Sequence, residues 1–180
     1  APRSSSPAPP AVADFRITLA QVARPARLRE GWERVRRNRG GSGGDGVTIK
    51  EFDASLDDRL GRLARELLSD HYRPGPRRLG AIPKPAGGER RLASPCVRDR
   101  VVQTAMMLLG DRAFDAAMSG ASFGYRQGRG VAEALARVEA GMAAGQCWVV
   151  DLDIEEFFDT VPHDALLRLL LDRGVEPRAV

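Results

Sequence analysis

Leu56, Leu60, Leu63 and Leu67 recur at spacings of four, three and four residues, the period of one helical face. The surrounding SLDDRLGRLARELLSD predicts an amphipathic helix whose leucine stripe packs on a core, with Ser55 and Asp58 as an S-x-x-D start signal. Upstream, FRITLAQVARPARLREGWERVRRNRG reads as helical, broken near Pro25 and ended at Gly40. VRDRVVQTAMMLLGDRAFDAAM predicts a long helix with apolar positions at Val97, Val101, Met106 and Leu109, and VAEALARVEAGMAAG another. In DTVPHDALLRLLLDRG, Pro162 lies near the first turn of a helix, Asp164 early in it and Gly174 just past its end.

Two stretches depart from this period. RRLGAI and ERRLA are short runs joined by PKPAGG, which predicts a β-hairpin with a glycine-bearing turn and basic side chains on both arms. CWVVDLDI predicts a strand on which Asp151 and Asp153 share one face and Val150, Leu152 and Ile154 the other. GGSGGDGVT is glycine-rich and lacks the Gly-Lys-Ser/Thr ending of a phosphate-binding loop. SFGYRQGRG reads as a loop, and no internal repeat is visible.

The chain has 180 residues, 43% of them apolar, enough for one ordinary core or part of a larger domain. No apolar run is long enough to span a bilayer. The opening APRSSSPAPPAVAD lacks the charged start and apolar centre of a signal peptide; its Pro, Ala and Ser content predicts a disordered lead-in over 1–14. Cys96 and Cys147 stand singly, which suggests neither a disulfide framework nor a zinc site. His71 and His163 are the only histidines, little material for histidine-based metal sites or nucleophilic triads. A reducing cytoplasm is the default location.

The net charge of +4 conceals segregation. Seven arginines crowd residues 24–39, and eight basic residues lie between Arg73 and Arg100. From Asp151 onward eight acidic residues face three arginines. Basic regions feeding an acidic one suit a chain that grips phosphates beside a metal site. Lysine is rare (Lys50 and Lys84), so part of this pattern is an arginine bias. Two aspartates in an apolar strand are costly unless paired or holding a metal, which makes Asp151 and Asp153 the leading chemical candidates.

Taken in order, WERVRRNRGGSGGDGVT, YRPGPRRLGAIPKPAGGERRL, SPCVRDRVVQ, SFGYRQGRG and WVVDLDIEEFFDTVPHDAL resemble the motifs of reverse transcriptases encoded by group II introns and of related CRISPR-associated enzymes, over roughly residues 28–170. The resemblance implies an α+β right-hand polymerase fold, incomplete here: fingers over 15–118, then the end of the fingers and the first part of the palm over 119–180. It implies RNA-templated DNA synthesis by two-metal nucleotidyl transfer from dNTPs to a primer 3′-hydroxyl. By the same resemblance Asp153 is the first catalytic carboxylate and binds metal together with the Ile154 carbonyl. Asp151 shares its face and orients a neighbour or meets solvent.

Phe158 matches the side chain that closes against the sugar 2′ position; the competing reading is a core phenylalanine beside Phe157. Lys84 and Arg90, with Arg91 adjacent, match the triphosphate contacts of the fingers hairpin. Arg98, Arg100, Arg126 and Arg129 would follow the template backbone, and Gln103 faces either the template or the interior. Tyr125 and Phe123 are candidates for base stacking or for packing. The implied cofactor is Mg2+, with Mn2+ as an alternative. The implied partners are an RNA template, its primer and dNTPs, and beyond them intron RNA or Cas1 and Cas2 proteins, with no membrane.

Some positions depart from the family pattern: Ser94 and Cys96 around the shared proline, where Ile-Pro-Thr is common, and Gln127 where proline is usual. The family's Tyr-x-Asp-Asp motif and thumb are not within these residues, so the chain by itself is expected to be inactive. A bare D-x-D also occurs in glycosyltransferases and phosphatases, but Glu155 breaks the phosphatase pattern and glycosyl transfer leaves the basic hairpin unexplained. The other alternative is a truncated or degenerate remnant that only binds RNA.

Overall fold

A computed structural model describes residues 16–83 and 87–179. The expected lead-in over 1–14 and Lys84 in the hairpin turn lie outside the described residues. The elements in order are α1 (Leu19–Val22), α2 (Pro25–Arg37), α3 (Ile49–Asp53), α4 (Leu56–Leu68), β1 (Arg78–Pro83), β2 (Glu89–Ser94), α5 (Val97–Ala117), α6 (Val131–Ala143) and α7 (His163–Asp172), then a 3-10 turn at Pro177–Ala179. Among the described residues, helices with a single antiparallel hairpin make an α+β chain.

Local chemistry accounts for the helix boundaries. Thr18 and Gln21 close a capping box that starts α1. Pro25 then occupies the first position of α2, where its missing N–H removes no hydrogen bond. Arg34, Arg36 and Arg37 sit in the last turn of α2, where the helix dipole favours cations. The expected Ser55 cap does not form: its hydroxyl accepts from Arg59 Nε at 2.7 Å and bonds no helix amide. A capping box does occur one helix earlier, between Thr48 and Glu51 of α3, and its hydrogen bonds hold the Glu51 carboxyl below its usual range.

The core lies between α1, α2, α4 and the first half of α5. Trp32, Phe52, Leu28, Val22, Val97 and Val101 are fully buried, and Leu60, Leu63 and Leu67 present the expected stripe. Trp32 and Phe52 stack with ring centroids 5.0 Å apart. Close approach of α2 to α5 requires Gly31, because a Cβ there would lie 2.7 Å from the Val101 carbonyl oxygen. The C-terminal stretch returns to this core through a parallel bridge between Ile17 and Val175. Glu176 Oε2 accepts from the Leu19 amide at 2.7 Å, across 157 residues of sequence.

One expected element is absent. Residues 147–154 carry no regular secondary structure and form no strand. A strand is completed by a neighbour's hydrogen bonds, and the only sheet among the described residues is the β1–β2 hairpin. Val150, Leu152 and Ile154 are exposed at 80%, 87% and 64%, and Asp151 and Asp153 are exposed with them. The cost of charges in an apolar interior therefore does not arise in this arrangement, and burial is no part of the case for Asp153. No helix among the described residues is long and apolar enough to cross a membrane.

Candidate nucleotide and nucleic-acid site

The hairpin has the expected form, with Arg78 opposite Ser94 and Pro83 opposite Glu89 in antiparallel register. Arg90 and Arg91 lie on β2, opposite Ile82 and Ala81. Both faces of β1 are exposed, Leu79 at 81% and Ile82 at 52%, so the direction of the hairpin is set at its base.

That base is a tight polar knot. Asp99, 2% exposed, accepts from the Tyr72 hydroxyl at 2.7 Å and from the Gly75 amide at 2.9 Å. Burial first, and the Asp99 hydrogen bond second, push the Tyr72 phenol upward. Cys96 Sγ and the Gly44 amide both donate to the Pro76 carbonyl, at 3.2 and 3.0 Å. Burial raises the Cys96 thiol as well. Gly43 has to be glycine, since a Cβ would sit 2.4 Å from Cys96 Cα. The segment before β1, the glycine-rich loop and the start of α5 are thus held together. Tyr72 and Asp99 escaped the sequence reading: they lie 27 residues apart, and no periodicity links a loop tyrosine to one carboxylate among helix charges.

The other basic candidates are engaged to different degrees. Arg98 donates to Glu66, lies 3.7 Å from Asp99 and covers the Tyr72 ring at 5.3 Å. Arg100 donates to the Gly41 carbonyl. Arg126, with only 5% of its side chain exposed, donates to Asp115 at 2.6 Å and to the carbonyls of Ser119 and Ser122 at 2.8 and 2.9 Å. Its hydrogen bond holds the Asp115 carboxyl below the usual range. Arg129 donates to the Gly120 carbonyl at 2.7 Å and lies over the Phe123 ring. Gln103 and Arg91 point to solvent. Arg126 and Arg129 therefore shape the loop between α5 and α6.

That loop presents Tyr125, 98% exposed and held at φ +58°, a left-handed conformation unusual for a bulky residue. Tyr125 borders an open cleft of about 540 Å³ that also meets Arg34, Asp111, Met118 and Gln127. Its ring faces the edge of Phe158 at 6.5 Å, and Phe158 in turn meets Phe157 at 5.2 Å. Phe158 is 72% exposed, so it is no core phenylalanine in this structure. Five residues before it stands Asp153, with Ile154 adjacent, on the exposed irregular stretch.

The structure brings Tyr125, Phe157 and Phe158 together. It joins the hairpin to Asp153 or Phe158 by no hydrogen bond, ion pair or ring contact among the described residues. Nor does any group of three His, Cys, Asp or Glu side chains among them stand where it could hold a metal ion.

Comparison with known proteins bears on this arrangement. Residues 82–180 match the reverse transcriptase (RNA-dependent DNA polymerase) family. The chain is similar to protein YkfC of Escherichia coli, 36% identical over 141 residues, which is 76% of this chain and 37% of that protein. It is also similar to a COX1/OXI3 intron 1 protein of Saccharomyces cerevisiae, 33% identical over 133 residues, 72% of this chain and 16% of that protein. The group II intron-encoded protein LtrA of Lactococcus lactis is 24% identical over 131 residues, 72% of this chain and 22% of that protein. The chain thus spans little more than a third, or less, of these relatives.

Proposed function

Because the chain belongs to the reverse transcriptase (RNA-dependent DNA polymerase) family, we propose that it supplies the fingers and the first part of the palm of a group II intron-type enzyme that copies RNA into DNA. The family match over residues 82–180 carries this reading; the similarity to a group II intron-encoded protein supports its group II character, and that to a second intron protein its link to introns. The partners we propose are an RNA template, intron RNA foremost, its primer and deoxynucleoside triphosphates.

Each residue has a physical task in this reading. Arg90 and Arg91, with Lys84 in the turn, bind the triphosphate, where guanidinium forks match phosphate oxygens and offset charge developing in transfer. Phe158 stands against the sugar and disfavours a 2′-hydroxyl by bulk. Arg129 and Gln103 face the template strand, while Arg98, Arg100 and Arg126 set the surfaces it follows. The Asp153 carboxylate and the Ile154 carbonyl would hold magnesium, or manganese in its place. Both are oxygen donors, the kind such hard ions prefer, and both are open to solvent. They are too few for a complete ligand set, so triphosphate oxygens, water and carboxylates outside these residues would complete it. The bound ions would activate the primer hydroxyl and neutralise the leaving pyrophosphate.

These 180 residues contain no Tyr-x-Asp-Asp sequence, and we propose that by themselves they bind RNA without extending a primer. In the reading frame that contains this chain, Asp153→Asn abolishes magnesium-dependent primer extension and leaves RNA affinity nearly unchanged. Equal loss of extension and binding would overturn the metal-ligand role of Asp153.

A further inference from the structure

The β1–β2 hairpin stands on a narrow neck. Both strands are exposed along their length among the described residues. Beyond their own ladder, one hydrogen bond among those residues ties the strands to the body, from Arg78 to Ser42 Oγ at 3.3 Å. The neck is fastened more firmly. Tyr72, Gly75 and Pro76 lead into β1, and Cys96 and Asp99 follow β2. Asp99 accepts the Tyr72 hydroxyl on Oδ1 and the Gly75 amide on Oδ2, while the Cys96 thiol donates to the Pro76 carbonyl. The two segments also touch, since a Cβ on Gly75 would lie 2.7 Å from Cys96 Sγ.

Burying a carboxylate is costly unless its oxygens are bonded. Asp99 is buried in the first turn of α5, where the helix dipole favours an anion. Both of its oxygens go to the segment that enters the hairpin, so these bonds fix the direction of the hairpin. Leverage magnifies any slack there. A strand rises about 3.3 Å per residue, which puts Arg90, opposite Ile82, about 20 Å from Pro76. A tilt of about 3° at the neck then carries Arg90 through about 1 Å, an error that can cost an enzyme up to about 100-fold.

We propose that Tyr72 and Asp99 are positioning residues for the incoming nucleotide. By pinning the entering segment to α5 they hold Arg90 and Arg91 at the triphosphate, so loosening the neck weakens nucleotide binding and spares the template. The role of the hairpin rests on the proposed function; the clamp at its neck does not.

The test is steady-state primer extension by the reading frame that contains this chain. Tyr72→Phe removes the hydroxyl and keeps the ring that Arg98 covers. It is expected to raise the dNTP KM about tenfold with kcat within about twofold of the parent, the pattern of lost binding and not of lost protein. The KM for the RNA template stays at the parent value. Leu63→Ala, which destabilises the core at least as much, lowers the active fraction and leaves the dNTP KM alone. In a background of Arg90→Gln with Arg91→Gln, where the dNTP KM is already raised, Tyr72→Phe adds at most about twofold, because a residue acting through the arginines loses its effect with them. The clamp is checked separately on the 180-residue chain, by electron–electron distance measurement between nitroxides at Glu89→Cys and Arg62→Cys, with Cys147→Ser. Tyr72→Phe broadens that distance distribution.

A full-sized KM rise in the background lacking both arginines, or a fall in kcat alone as in Leu63→Ala, overturns the positioning role and leaves the proposed function standing. A distance distribution unmoved by Tyr72→Phe overturns the clamp itself. If Arg90→Gln with Arg91→Gln keeps the parent's dNTP KM, the hairpin does not hold the triphosphate, and the positioning role falls with that part of the proposed function.

Discussion

Two helices of this chain carry the same apolar stripe and meet opposite fates. In α4 the stripe is Leu56, Leu60, Leu63 and Leu67; in α6 it is Val131, Leu135, Val138 and Met142, at the same spacing of four, three and four. The last three leucines of α4 are 5%, 3% and 3% exposed. The α6 residues are 76%, 56%, 52% and 62% exposed. The same contrast holds between Trp32, fully buried against Phe52, and Trp148, 97% exposed. Periodicity names the face of a helix that needs cover; what covers it is a property of the rest of the fold. Among the described residues α4 has α1, α2 and α3 beside it, whereas α6 presents its stripe to solvent.

The comparison is broken most directly by truncating one member of each stripe. Leu63→Ala is expected to lower unfolding free energy by about 2–5 kcal/mol. Leu135→Ala should stay within about 0.5 kcal/mol, as exposed substitutions do. Urea melts of the two variants decide it, and a large loss for Leu135→Ala would mean that the α6 stripe is covered in solution.

Polar groups sharpen the contrast further. Tyr72→Phe removes a donor from buried Asp99 and should lower stability by about 1.5–3 kcal/mol, while Tyr125→Phe on the open loop leaves it unchanged. The pH dependence has a definite sign. Because the folded Tyr72 phenol is raised, its contribution is intact below the unfolded value of about 10 and is lost as pH rises through the folded one. Melts at neutral and strongly alkaline pH should show the parent losing more stability than Tyr72→Phe.

Glycines draw the same contrast by sign. Gly31→Ala drives a methyl group toward the Val101 carbonyl 2.7 Å away and is expected to cost about 1–3 kcal/mol. At Gly141 of α6 the near neighbour is the tip of the Gln146 side chain, at 2.8 Å, which can swing aside. Gly141→Ala should therefore stabilise by about 0.5–1 kcal/mol through lower backbone entropy. Thermal melts showing the two alanines equal would erase the difference between the regions.

Sequence legibility follows the same division. The longer helices around the core, the hairpin and the α7 boundaries could be read, because prolines and apolar spacing are local signals; the short α3 could not, and the cap expected at Ser55 does not form. The strand expected over 147–154 is not formed, since β-structure depends on a partner that periodicity does not supply. Asp153, Ile154 and Phe158 were singled out by the order and spacing of a resemblance, and the structure places them on an exposed stretch. The Tyr72–Asp99 knot was not, because it is made by distant loops meeting. Arg126 was legible as an arginine in a loop, but its burial against Asp115 and two carbonyls depends on how that loop folds back.

The hydrogen bond from Leu19 to Glu176 has a consequence for synthesis. A growing chain emerges at ~5–20 residues per second, so the Leu19 amide waits on the order of ten seconds for a carboxylate made 157 residues later. Helix α1 can dock on α4 and α5 long before that. Its first turn is locked only when the ribosome has delivered Val175 and Glu176, so a helix made early is fastened by a contact 157 residues down the chain.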